Sequence, residues 1–74
     1  MTKEELMKQV AAARGRRSLP EAVARANGWP MDCTRIVARM DGSRVPFKDW
    51  LAEVHQAEDA EIARLMALVE KADA

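Results

Sequence analysis

Apolar residues recur along this 74-residue chain three and four positions apart, and no stretch alternates strictly between apolar and polar side chains. Such spacing lays one apolar stripe along each successive helix, whereas a half-buried strand needs a period of two. The chain is therefore expected to be all-α, a compact bundle of four to five short helices forming a single domain over residues 1–74. A core of this size leaves only a few kcal/mol of net stability. No covalent or metal staple adds to it: Cys33 is the only cysteine, and one histidine cannot complete a four-ligand zinc set with it. No metal and no cofactor are expected.

Local signals divide the chain into helices. Thr2 and Glu5 form a capping box for a first helix running to about Arg14, with Leu6, Val10 and Ala13 as its stripe and Gly15 as its stop. Ser18 and Glu21 repeat the box, and Pro20 suits the first turn of a second helix ending at Asn27-Gly28. Trp29-Pro30 breaks the chain. A third helix is expected to start between Pro30 and Asp32 and to end at Asp41-Gly42. Cys33, Ile36, Val37 and Met40 would share its apolar face, and Arg35 and Arg39 the opposite one. Pro46 opens a fourth helix carrying Phe47, Trp50, Leu51 and Val54. The segment HQAEDAE then lacks a large apolar residue, so a break near Ala57 to Asp59 is expected before an acidic last helix over about 58–72. The stripes nominate Leu6, Val10, Val23, Ile36, Val37, Met40, Phe47, Trp50, Leu51, Val54, Ile62 and Leu65 as the core.

The formal net charge of zero conceals an asymmetry. Residues 1–44 hold nine basic and five acidic groups, and residues 45–74 hold three basic and seven acidic ones. Seven of the eight arginines lie between Arg14 and Arg44. Guanidinium is the group that pairs bidentately with phosphate or guanine. The same arginines could instead be solvated, or paired with Asp32, Asp41 and the acidic tail.

Five short helices with a tight turn between the second and third match the layout of helix-turn-helix domains. The stretch LPEAVARANGW resembles the first helix and turn of the lambda-repressor-like, Cro-type helix-turn-helix family. Ala24 matches the small residue packed between its two helices, and Gly28 the turn glycine. MDGSRVP, Met40 to Pro46, is similar to the loop after its recognition helix. The likeness covers about residues 19–54, with the motif itself over about 19–41. It implies a small DNA-binding transcriptional regulator of phage or bacterial type, reading the major groove of double-stranded DNA with the third helix. Arg35 and Arg39, with Thr34 beside them, would face the bases. Ser43 and Arg44 would touch backbone phosphate, and Arg16 and Arg17 would add phosphate contacts. Regulators of this layout commonly bind as dimers, for which Ile62, Leu65, Met66 and Val69 offer a homodimer surface.

Catalysis is not expected, because one His, one Cys and scattered carboxylates supply no converging acid, base and nucleophile. Cys33 reads as a small buried hydrophobe and His55 as an edge of the core. Glu58, Asp59 and Glu61 suit the positive start of a helix better than a metal. The N-terminus MTKEELMKQV has acids where a secretion signal has none, and no apolar run approaches a membrane span, so a cytoplasmic protein is expected. The alternative is a small phage-encoded protein-binding inhibitor or modulator of a host complex, such as RNA polymerase or a defence system, with no DNA contact of its own. Zero net charge and the acidic end suit that reading.

Overall fold

The computed structural model describes residues 1–73, which form three helices and one β-hairpin. The order is α1 (Lys3–Arg17), α2 (Leu19–Asn27), β1 (Ile36–Ala38), β2 (Arg44–Pro46) and α3 (Phe47–Asp73). At 27 residues, α3 is the axis of the molecule, and it accounts for most of the 46 Å long dimension. Along its C-terminal half it packs antiparallel to α1, where Leu6 and Val10 meet Leu65 and Val69 in one buried cluster. Its N-terminal half carries α2 and the hairpin. Ala24, Val45 and Phe47 are buried at that end.

Half of the capping box of α1 forms: the Thr2 hydroxyl accepts the Glu5 amide at 3.1 Å. Its end does not fall where glycine suggested, since α1 continues through Gly15 to Arg17. Pro20 ends it instead, because proline has no N–H to donate to the carbonyl four residues back and its ring crowds that carbonyl. Ser18 bridges the two helices, its amide and hydroxyl both bonding to the Arg14 carbonyl. The Ser18 side chain makes no capping bond to α2, so the second box is only partly used. Gly28 closes α2 as read, in the left-handed region at φ 69°, while the Trp29 amide reaches back to the Ala24 carbonyl at 2.8 Å.

The four-to-five-helix bundle is overturned at two places. The segment expected as the third helix forms a loop and an antiparallel hairpin, with Val37 paired to Val45 and Ala38 to Arg44. Arg39 donates its amide to Ser43 at 2.7 Å and accepts that of Gly42 at 3.0 Å. Gly42, at φ 90°, supplies the left-handed position that such a three-residue hairpin loop requires. Asp41 sets the loop by accepting both the amide and the hydroxyl of Ser43, at 2.9 and 2.7 Å. The dipeptide Asp-Gly stops helices and turns hairpins alike, and here β-branched Ile36, Val37 and Val45 select the hairpin. No helix of the helix-turn-helix type exists over 30–41.

The second correction concerns α3, which runs unbroken where two helices were expected. HQAEDAE lacks large apolar groups, but it also lacks Gly and Pro, and its Ala, Gln and Glu favour helix on propensity alone. The nominated core is revised to match. Leu6, Val10, Phe47 and Leu65 are buried, whereas Ile36 is 60% exposed and Met40 fully exposed. Strand alternation turns Val37 inward and Ile36 outward, which a helical phase could not anticipate. Val23, Trp50, Leu51, Val54 and Ile62 are half-buried rather than interior.

Candidate functional site, an apolar groove across the long helix

Trp50, Val54, Ala57 and Glu58 share one face of α3, at spacings of four, seven and eight. Beside this face stand the corner between α1 and α2, at Arg16 and Leu19, and the hairpin tip, at Met40. Together these residues line a groove of about 300 Å³ whose walls are mostly apolar. A second hollow on the other side of Met40 shares Trp50, Val54 and Ala57 and is bounded by Arg39, Asp41 and Glu53. Met40 is thus a fully exposed ridge between two hollows, and Leu19, 52% exposed, forms the opposite lip. Phe47 holds the floor from beneath: its ring lies 5.8 Å from that of Trp50 and 5.6 Å, edge-on, from that of Trp29.

Charges at the rim are matched. Arg16 donates its Nε to both Glu58 carboxylate oxygens, at 2.9 and 3.1 Å, and Glu58 is only 14% exposed. Arg39 grips Glu53 through Nε and both of its carboxylate oxygens, with Nη2 at 2.7 and 2.8 Å, and its remaining nitrogen reaches the Ser43 hydroxyl at 3.0 Å. Arg17 bonds Asp59 at 2.5 Å. Exposed pairs of this kind add little to stability, so their larger effect is to neutralise the groove's surroundings.

The residues nominated for DNA fall into two groups. Arg16, Arg17 and Arg39 each already hold a carboxylate of the acidic C-terminal stretch, as the charge asymmetry allowed. Arg35 stacks its guanidinium 5.6 Å from the Trp29 ring centroid, and its carbonyl anchors the Phe47 amide. Thr34 and Arg44 are exposed, in the loop before β1 and on β2 respectively, and Ser43 is committed to Asp41. Arg35 and Arg39 do share a face. It is the pleat face of half-buried Val37, on a strand that packs against α3, rather than the outer side of a helix. Ile62, Leu65, Met66 and Val69, nominated for a dimer, pack on α1 within the chain, Leu65 and Val69 being buried there.

Cys33 departs from its reading, whereas His55 stands half-buried at the edge of the core as read. Cys33 is half-buried rather than interior, and its sulfur accepts the Arg35 amide at 3.4 Å. His55 joins α3 to α2 through an Nε2 to Glu21 Oε1 contact of 2.5 Å, a pair 34 positions apart that no local pattern announces. Among the described residues no three His, Cys, Asp or Glu side chains converge as a metal-binding group, and no helix is long and apolar enough to cross a membrane.

The Glu21 carboxyl illustrates how the helices are joined. Burial pushes its pKa up, and the Oε2 atom is buried without a partner. The Glu21 backbone amide, His55 and Arg17 outweigh that penalty and hold the group below its ordinary 4.5. A depressed carboxyl stabilises the fold above its unfolded pKa and loses that contribution as pH falls through the folded one. Acid unfolding of the native chain should therefore steepen below 4.5, and Glu21→Gln should flatten that limb. Urea midpoints across the acid range check this; identical limbs for the two proteins would refute it.

No family model, curated protein or solved structure matches this chain. The groove geometry is therefore the basis for assigning a role.

Proposed function

We propose that this chain acts by binding a protein surface, with the Leu19–Met40–Trp50–Val54 groove as its docking face, and that it is a regulator of association rather than a catalyst. The observation that carries this reading is Met40: a large apolar side chain held fully exposed on a braced hairpin tip, directly beside an apolar hollow. Exposed apolar groups gathered in a concave patch with a polar rim are the mark of protein interaction sites. The hairpin offers no helix for a major groove, and three of the nominated arginines carry no uncompensated charge toward phosphate. A chain of zero net charge also lacks the strong positive field that draws proteins to nucleic acid.

A photo-crosslinking amino acid at position 40, compared with one at exposed Ala12 on α1, tests the reading in the cells that make the protein. Protein adducts specific to position 40 are expected. Equal adducts at both positions, or nucleic-acid adducts in place of protein ones, would overturn it. In a parallel titration at two salt concentrations, tight and strongly salt-dependent affinity for duplex DNA would restore the DNA regulator as the better reading.

A further inference from the structure

The hairpin leaves one of its edges open. Its cross-strand bonds fall between Arg39 and Ser43 and between Arg35 and Phe47, so antiparallel alternation puts Val37 and Val45 in the same bonded class. The amides and carbonyls of Ile36 and Ala38 therefore point away from β2, and no backbone bond from elsewhere among the described residues takes them up. Both residues are exposed. On the other edge the corresponding residues are Arg44 and Pro46, and Pro46 has no N–H and leads straight into α3. β1 carries neither the proline, the lysine nor the bulge that commonly guards a free edge. We propose that β1 is a strand-addition site for an extended, acidic segment of a partner protein. Ile36, Ala38 and Arg44 line neither hollow beside Met40, so this site is distinct from the groove.

Charge selects the occupant. Residues 33–48 hold Arg35, Arg39, Arg44 and Lys48 against Asp41 alone. Arg39 is offset by Glu53, but among the described residues neither Arg35 nor Arg44 meets a carboxylate. Arg44 stands opposite Ala38, on the face that also carries Ile36, and the small alanine leaves its guanidinium room to lie across β1 toward an added strand. An antiparallel segment Glu-Val-Val-Glu sets its first Glu beside Ala38 and Arg44, its valines beside Val37 and Ile36, and its last Glu beside Arg35. A second copy of the chain fits poorly. Two β1 edges paired about Val37 put Arg35 of each opposite Arg39 of the other, and like charges so placed repel.

Amide spectra of the isotope-labelled chain, titrated with the capped peptide Thr-Thr-Glu-Val-Val-Glu-Thr-Thr, test the site. The Ile36 and Ala38 amide signals are expected to shift, and their exchange with solvent to slow several-fold. The peptide with Lys for both Glu should bind about tenfold more weakly, because two cross-strand charge pairs are reversed. Arg44→Glu should weaken binding of the acidic peptide and strengthen that of the lysine peptide; Arg44 is exposed, so circular dichroism should match the parent. N-methylation of the acidic peptide at its first Glu and second Val removes the two amides that face β1 and keeps every charge, and binding should be lost. Unchanged Ile36 and Ala38 amides up to about 1 mM peptide, a range that covers weak affinities, would overturn the proposal. Equal binding of the methylated or the lysine peptide would do the same. Shifts confined to Leu19, Trp50 and Val54 would defeat the strand site and leave the groove reading standing.

Discussion

Phe47→Ala is expected to destabilise the protein by about 3–5 kcal/mol, enough to leave much of it unfolded at room temperature. Phe47 is 0% exposed at the point where β2 becomes α3. Its ring braces Trp29 on one side and Trp50 on the other, and its amide donates to the Arg35 carbonyl at 2.7 Å. Truncation would open a cavity shared by the α2–β1 loop, the hairpin and the start of the long helix. Phe47→Leu should recover part of the loss by refilling the space. Urea unfolding followed by circular dichroism measures both variants. A cost below about 1 kcal/mol for the alanine variant would mean that the hairpin end of the molecule is held by something other than this ring.

Ending the chain at Ala57 is expected to melt α1 as well as to remove half of α3. Leu65 and Val69 are the side chains that cover Leu6 and Val10, and Arg16 and Arg17 lose Glu58 and Asp59 at the same stroke. What remains of α1 is a 15-residue helix with an uncovered apolar stripe, and isolated helices of that length are marginal in water. Helical ellipticity should therefore fall by clearly more than the share of residues deleted. A fall in proportion to the deletion would show that α1 is stabilised elsewhere. The result also bears on α3 as a continuous rod, because Glu58 and Asp59 of its polar middle are paired with Arg16 and Arg17 of α1.

How far the sequence could be read depended on the range of the forces involved. Helix starts are set by groups within one turn of each other, so the Thr2 cap and the Gly28 stop were legible and stand in the structure. The stripe of α1 and the residues Leu65 and Phe47 were legible for the same reason: a helix several turns long repeats its apolar face often enough to declare a period. The three-residue strands Ile36–Ala38 and Arg44–Pro46 contain too few positions for a period of two to appear. Their Asp-Gly turn had an equally good local reading as a helix stop. Only pairing across the hairpin, which brings Val37 onto Val45 and aims Arg39 at Glu53, resolves that ambiguity.

By itself the sequence determined where α1, α2 and α3 begin, which face of each long helix is apolar, and that the basic early half had an acidic late half available to neutralise it. Tertiary structure alone decided that residues 30–46 hold a loop and a hairpin, that α3 is one rod, and which arginine meets which carboxylate. It also decided the site. Leu19, Met40 and Trp50 come from three different segments, and the groove exists only because Pro20 turns α2 away from α1 while the hairpin holds Met40 over α3. Local propensity acts over a turn of chain, whereas a surface patch is a sum over contacts between residues tens of positions apart, and those are settled by how the elements bury one another.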